Sequence, residues 1–282
     1  MTDDASPPLS QTRLGYVGPL LEHRARQWLD GRMADRSEQL IEETPVVLVY
    51  NQIPHVVMMA TPQDLEDFIL GFSLTENLIR SAADLEAVEV VRYSQGIELQ
   101  ARVPAECQAV IEGRTRRMTG RTGCGICGSD SIDAVLKSLR PVAAGGRFAP
   151  EAILRAAGAL GDRQPLNQAA GSVHAAAWAT TGGAIALVRE DVGRHNALDK
   201  LIGALVRQGT DPASGFIVVT SRASFEMAQK ATAFGAGVLV AVSGPTALAV
   251  RLADDAGLTL IGFARPGRFT VYTHPERIAG DG

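Results

Sequence analysis

No run of about 18 consecutive apolar residues occurs in this chain, so the sequence offers no candidate membrane-spanning helix. Cysteine is scarce. Three in 282 residues cannot make a disulfide framework, and cysteines used so sparingly are catalytic, metal-binding or buried. Positive charge is not in excess either: the formal net charge of -4 argues against a general nucleic-acid binder, whose affinity comes from basic surfaces that displace phosphate counterions. The start, Met1-Thr-Asp-Asp-Ala-Ser-Pro-Pro, has acidic residues where a signal peptide needs positive charge, and no apolar run follows. A cytoplasmic location is expected. A Walker A loop and a Gly-X-Gly-X-X-Gly fingerprint are both missing, so neither ATP hydrolysis nor a dinucleotide Rossmann site is supported.

What is present is enough apolar side chain, 46% of residues, to bury a substantial core. A chain of this length divides most naturally into two lobes. Residues 1–40 read as a polar tail, with at most a short helix from Leu20 to Leu29. Over 41–120 the pattern is α+β. Val46 to Tyr50 and His55 to Met59 read as strand, turn, strand. Thr61-Pro62-Gln63-Asp64 reads as a helix start, with Thr61 as N-cap, Pro62 at the first helical position and Asp64 closing a capping box. Leu65, Phe68, Ile69 and Phe72 then bury one helix face. Glu86 to Arg92 and Ile97 to Val103 form a second strand pair. Residues 121–140 comprise a cysteine loop and a following helix from Asp130 to Leu139. Residues 141–282 read as an α/β domain, with a helix from Pro150 to Leu160. Its strands at 173–179, 184–189, 216–220, 238–242 and 258–263 alternate for the most part with helices at 196–206, 225–234 and 246–256. That alternation predicts a largely parallel, buried sheet covered by helices.

The densest chemistry lies at Gly123-Cys124-Gly125-Ile126-Cys127-Gly128. Glycine on both sides suits a backbone that turns sharply, and Arg114, Arg116, Arg117 and Arg121 supply a positive field that favours thiolate over thiol. The spacing is also that of half a zinc site. No second Cys-X-X-Cys exists, however, so His174, His195 or Cys107 would have to converge from a distance, and no metal is expected. A thioredoxin-like exchange site is the other alternative, without the βαβ context it needs.

In α/β sheets ligands bind beyond the carboxyl ends of the strands, where helix N-termini present free N–H groups. Three segments fit that rule. They are Ser221-Arg222-Ala223-Ser224, Ser243-Gly244-Pro245-Thr246 and Ala264-Arg265-Pro266-Gly267-Arg268; together they favour an anionic, nucleotide-like ligand. Glu190-Asp191-Val192-Gly193-Arg194-His195-Asn196 gathers acid, base and imidazole in one turn. It reads equally as a site or as a helix cap with an exposed His195. His55, Met58, Met59 and Trp178 read as packing residues and Cys107 as an incidental thiol.

Several long segments in order, from Glu43 to about Thr273, resemble the formate dehydrogenase accessory sulfurtransferase (FdhD-type) family. They are Met59-Ala-Thr-Pro-Gln-Asp-Leu-Glu-Asp-Phe68, Gly71-Phe72, Cys124-Gly-Ile-Cys127, Asp191-Val-Gly-Arg-His-Asn-Ala-Leu-Asp-Lys200, Thr220-Ser-Arg-Ala-Ser-Phe-Glu226 and Gly267-Arg-Phe269. The resemblance implies a sulfurtransferase that takes sulfur from a cysteine desulfurase as a cysteine persulfide. It delivers that sulfur to the molybdenum cofactor, bis-molybdopterin guanine dinucleotide, for formate dehydrogenase. The fold implied is a cytidine-deaminase-like α/β C-terminal domain with a smaller α+β N-terminal lobe, in a homodimer. Cys124 matches the family's persulfide-carrying cysteine, Cys127 its companion, and Phe263, Ala264, Arg265, Pro266, Gly267 and Arg268 its cofactor-binding segment. Ser221, Arg222, Ser243 and His195 join that cofactor site from the residue reading. Deaminase chemistry is not implied, because the His-X-Glu and Pro-Cys-X-X-Cys zinc signature is absent. One departure is Thr75-Glu76-Asn77 where the family carries Thr-Glu-Gly; Asn also tolerates positive φ. The alternatives are a non-enzymatic molybdenum-cofactor chaperone and a thiol-disulfide exchange protein.

Overall fold

A computed structural model describes residues 18–118, 141–142 and 146–280. Cys124, Cys127 and the helix expected from Asp130 to Leu139 lie outside these residues. The first described element is a correction. Instead of a polar tail with a short helix, residues 20–41 form an antiparallel hairpin of β1 (Leu20–Leu29) and β2 (Arg32–Ile41). Its turn residues, Asp30 and Gly31, have φ of 48° and 81°. Asp-Gly is the pair that a two-residue hairpin turn demands, and Arg26 lies 3.2 Å from Asp35 across the ladder.

Strands β3 (Thr44–Tyr50) and β4 (Ile53–Ala60) form the expected hairpin. Strand β3 also pairs in parallel with β6 (Gly96–Arg102), itself antiparallel to β5 (Ala87–Tyr93), giving the order β4-β3-β6-β5. Val46, Leu48 and Tyr50 alternate onto the face covered by α1 (Leu65–Thr75) and α2 (Ala105–Met118). Phe68, Ile69 and Phe72 of α1 fill that core, as their spacing predicts. The arginine-rich sequence of α2 gives little sign of a helix; Cys107 and Ile111, one turn apart, bury its inner face.

Helix α1 begins later than its sequence suggests. Asp64 is the N-cap residue, with φ of 55° and no side-chain capping bond. Thr61 serves elsewhere, as shown below. Past the end of α1, Asn77 has φ of 51°, the positive value that the Thr-Glu-Gly pattern implies.

The second half forms a six-stranded sheet in the order β12-β11-β10-β9-β7-β8. Its strands are β7 (His174–Thr180), β8 (Ile185–Asp191), β9 (Gly215–Val219), β10 (Val238–Ala241), β11 (Thr259–Arg265) and β12 (Arg268–Val271). Only β9, β10 and β11 pair with one another in parallel. Strand β7 runs antiparallel to both its neighbours and β12 antiparallel to β11, so the sheet is mixed rather than largely parallel. The reason is local: short turns after β7 and β11 leave no room for a crossover helix. Helices α5 (Arg194–Arg207), α6 (Phe225–Phe234) and α7 (Ala247–Asp255) cover one face through Leu198, Leu201, Met227 and Ala249. On the other face α3 (Pro150–Ala159) contributes Ile153 and Ala156, beside Phe148 and Phe216. The short helix α4 (Pro165–Ala170) follows α3 in the chain.

Helices α1 and α5 join the two sheets. A Cβ at Gly71 would lie 1.8 Å from the Asp199 carbonyl oxygen, and one at Gly203 would lie 1.9 Å from that of Asp67. The backbones therefore touch. Flanking the crossing, Asp67 accepts from Arg189 Nε at 2.9 Å and Nη2 at 2.7 Å, while Arg207 Nη2 stands 2.7 Å from its other oxygen. Asp199 accepts from Thr75 Oγ1 at 2.7 Å and Lys230 Nζ at 2.9 Å. Burial opposes the Lys230 ammonium, yet the Asp199 and Glu76 carboxylates outweigh it and hold its pKa above the ordinary lysine value.

This packing can be tested at its glycines. Gly71→Ala and Gly203→Ala should each destabilise by about 1–3 kcal/mol or more in urea unfolding. Gly158→Ala, on the exposed side of α3 with open space at its Cβ, should instead stabilise by about 0.4–1 kcal/mol. Equal effects at all three positions would refute the direct contact. A second prediction concerns His55, whose ring packs against Tyr50 and Phe72 with Nδ1 2.7 Å from Thr115 Oγ1. Burial, with the Arg114 charge, lowers its pKa to about 4. Its neutral form is the folded one, so its stabilising contribution is complete above the unfolded pKa of about 6.5 and is lost as pH falls toward 4. Thermal unfolding of His55→Gln should therefore show a smaller loss of Tm between those pH values than the wild type.

Candidate functional site

The carboxyl ends of β9, β10 and β11 and the amino end of β7 share one edge of the six-stranded sheet, because β7 runs against the other three. The turns leaving that edge are tied together by backbone. Val242 N–H donates to Val219 O at 3.0 Å, Thr246 N–H to Ala223 O at 3.0 Å, and Phe263 N–H to Ser243 O at 3.1 Å. Ser221, Arg222, Ser243 and Phe263 are thereby brought onto one contiguous surface. Ser221 is nearly buried and its hydroxyl donates to the Arg222 carbonyl, whereas the Arg222 side chain is exposed.

Phe263 has φ of 53° and is 44% exposed. Its ring lies directly over Gly244, where an added Cβ would come 2.6 Å from Cζ. The glycine is needed for that close approach, and an aromatic face is presented at the strand ends. The strand expected to end at Phe263 runs further. Strand β11 continues through Arg265, Pro266 and Gly267 make a tight turn with φ of 80° at Gly267, and Arg268 starts β12. Arg265 and Arg268 face each other across this hairpin, both exposed, and Ala264 points into the core.

His195 sits in the first turn of α5 with Nε2 2.8 Å from Glu226 Oε2 in the first turn of α6. The hydrogen bond from His195 draws the Glu226 pKa below the ordinary carboxylate value, with the nearby Arg194 charge adding to it. At the start of β7, His174 has its pKa lowered by burial and by the positive charges of Arg194 and His195. Besides His195 Nε2, whose 2.8 Å contact is with Glu226, two polar atoms at this edge are buried without a hydrogen-bond partner among the described residues: Arg194 Nε and Ser224 Oγ. Ser224 is the N-cap residue of α6, yet its side chain makes no capping bond, and Gly193 has no side chain with which to cap α5. Unsatisfied donors at two helix starts make an edge suited to anions. Arg194, Ser224, Glu226 and His174 do not stand out as a group in the sequence. Their partnership crosses 20 to 50 residues, and only the shared position just outside a strand end hints at it.

The turn from β8 to α5 resolves two readings at once. Asp191 is structural: Oδ2 accepts from Thr61 N–H at 3.0 Å and lies 2.7 Å from Lys200 Nζ, and Oδ1 accepts from Gly193 N–H at 2.8 Å and Asn196 Nδ2 at 3.0 Å. Lys200 is fully buried and also donates to Thr61 O at 2.9 Å. Asn196 reaches Met59 O at 2.8 Å, and Val192 N–H donates to Thr61 Oγ1 at 3.2 Å. Thus Thr61 clamps the turn rather than capping α1, while His195 faces the edge. Of the packing assignments, His55 and Trp178 are buried, but Met59 is 46% exposed; Cys107, read as an incidental thiol, is buried in the core beneath α2.

Among the described residues no group of three or more His, Cys, Asp and Glu side chains is placed to hold a metal ion. No described helix is long and apolar enough to cross a membrane.

Comparison with known proteins accords with this fold. A solved structure described as a putative formate dehydrogenase accessory protein from Desulfotalea psychrophila superposes with a TM-score of 0.70 at 23% identity, covering 92% of this chain and 99% of that one. It shares the fold. Two proteins named "Sulfur carrier protein FdhD" are similar over almost the whole length. That of Cupriavidus necator is 47% identical over 275 residues, covering 98% of this chain and 92% of its own. That of Bordetella petrii is 49% identical over 277 residues, covering 98% and 95%. The family model described as FdhD/NarQ matches residues 41–279, and with relatives this similar over most of their length the chain belongs to the FdhD/NarQ family.

Proposed function

We propose that this chain is a sulfurtransferase that accepts sulfur from a cysteine desulfurase as a persulfide on Cys124. It passes that sulfur to bis-molybdopterin guanine dinucleotide, bound as substrate at the strand-end edge, on the way to formate dehydrogenase. Membership of a family whose relatives are named sulfur carriers supports the sulfur step. The observation that carries the binding step is the pair of buried, unpartnered atoms, Arg194 Nε and Ser224 Oγ, at uncapped helix starts. Phosphates need N–H donors and a guanidinium, and a purine needs an aromatic face; the edge supplies the first from α5, α6 and Arg194 and the second from Phe263. The C-terminal sheet is read as cytidine-deaminase-like, a reading supported by a hairpin followed by three parallel strands. A cytoplasmic homodimer completes the reading.

In the first step the Cys124 thiolate attacks the outer sulfur of the donor's persulfide. The donor's own thiolate leaves, and Cys124 becomes the persulfide. The arginines from Arg114 to Arg121 raise the thiolate fraction that this attack needs. Cys127 provides the release: its thiol attacks Cys124, a Cys124–Cys127 disulfide forms, and the outer sulfur departs as sulfide beside the bound cofactor. A cellular thiol then reduces the disulfide.

Incubation with a desulfurase and free cysteine should add one sulfur to the peptide containing Cys124 and Cys127, read by mass spectrometry. Cys127→Ala should retain that sulfur and Cys124→Ala should lose it. No added sulfur under conditions that load other acceptors would sink the sulfur step. For the binding step, guanosine diphosphate serves as a fragment of the cofactor in calorimetry. Arg194→Gln and Phe263→Ala should each weaken it roughly tenfold, as expected for loss of a charged hydrogen bond or an aromatic contact. Unchanged affinity in both variants would remove the ligand from this edge.

A further inference from the structure

The β1–β2 hairpin lies outside all three buried cores, and a two-stranded ribbon is marginal in water on its own. It exposes large apolar side chains: Trp28 is 66% exposed, Leu29 58%, Leu21 51% and Met33 48%. Helix α4 packs against β2, in which Glu38 and Ile41 are half-buried and the remaining residues are exposed. Among the described residues no strand pairs with the outer edge of β2. Natural sheets guard such an edge with proline, a bulge, charged side chains or a covering helix or loop. Here Arg32–Ile41 contains no proline, its ladder with β1 has no bulge, and its charges alternate in sign.

The order of those side chains is self-complementary. In a twofold antiparallel pair one residue faces its own copy and the others pair symmetrically about it. With Ser37 on the axis, Arg36 faces Glu38, Asp35 faces Gln39, Ala34 faces Leu40, Met33 faces Ile41, and Arg32 faces Glu42 just past the strand. No like charges meet, and apolar meets apolar. Strand β1 lacks this property, since its two central registers set Arg24 against Arg24 or Arg26. The hairpin's four acidic residues, Glu22, Asp30, Asp35 and Glu38, also balance its four arginines. Two hairpins therefore approach without net repulsion although the whole chain carries -4.

We infer that β2 pairs with β2 of a second copy of this chain, antiparallel about a twofold axis at Ser37, making one four-stranded sheet from two hairpins. This fixes the interface of the homodimer in the functional reading, but it stands apart from sulfur transfer, since persulfide loading is read on Cys124 whatever the assembly state.

Light scattering on the full chain at micromolar concentration should give twice the chain mass of 29.8 kDa. Arg36→Glu and Glu38→Arg each place like charges opposite one another twice, and each alone should weaken the dimer at least about tenfold with circular dichroism unchanged. Mixed, the two variants should recover a dimer, because each then meets its complement. Ser37→Cys should let a mild oxidant join the two copies by a disulfide at that position, identified in the peptide map, since facing residues in such a pair lie within disulfide reach. A monomeric wild type, dimers indifferent to both charge reversals, or a mixture that stays monomeric would each overturn the interface, as would cross-linking only through the native cysteines.

Discussion

The rest of this structure depends on the backbone contact between α1 and α5. A methyl group at either Gly71 or Gly203 would have to occupy the space of a carbonyl oxygen from the other helix. Helices can approach this closely only where both lack side chains, and that approach leaves the flanking Asp67 and Asp199 out of water. Each carboxylate then needs donors and a positive charge in place of that water. Asp67 of α1 takes Arg189 and Arg207 from the second half of the chain, and Asp199 of α5 takes Thr75 from the first half together with Lys230 from α6. Close packing and charge pairing are thus one constraint, since the glycines bring the acids together and the acids specify which residues surround them.

That constraint reaches the candidate site through α5. The helix that Gly203 anchors carries Arg194 and His195 in its first turn, and α6, held to the same crossing through Lys230, carries Ser224 and Glu226 at its own start. The His195–Glu226 pair is a consequence of two helix starts being fixed side by side. The parallel run of β9, β10 and β11 then adds Ser221, Ser243 and Phe263 along the same edge. Separate chain segments supply an aromatic face, a guanidinium and uncapped N–H groups because the sheet lines up their ends.

Much of this is legible in the sequence where a single physical signal dominates. The apolar runs of β9 and β10, buried on both faces, and the spacing of Phe68, Ile69 and Phe72 in α1 announce themselves. The strand-end rule locates Ser221 and Ser243 before any geometry, and the family resemblance adds Phe263. What stays hidden has competing signals. Thr61-Pro62-Gln63-Asp64 carries every local mark of a helix start, yet Thr61 is claimed by Asp191 and Lys200 from 130 and more residues away, and the helix begins at Leu65. The β1–β2 hairpin has its signature in Asp30-Gly31, but both faces of its strands mix polar and apolar residues and stay largely exposed, so the alternation that marks a half-buried strand is missing. Short turns after β7 and β11 decide the mixed direction of the sheet, and strand periodicity says nothing about direction.

The buried pair Lys200–Asp191 shows what such charges contribute here. Removing two ions from water costs several kcal/mol each, and well-packed apolar residues often serve stability as well. An apolar pair, however, has no donors or acceptors with which to hold the backbone. Asp191 and Lys200 between them bind the Thr61 N–H, the Thr61 carbonyl, the Gly193 N–H and the Asn196 side chain. They tie the chain leaving β4, at the edge of the four-stranded sheet, to the turn that launches α5. The site's first-turn residues, Arg194 and His195, follow that turn directly in sequence. Their orientation is therefore set by hydrogen bonds of fixed length, which is the accuracy an anion-binding edge needs if its donors are to converge on one ligand.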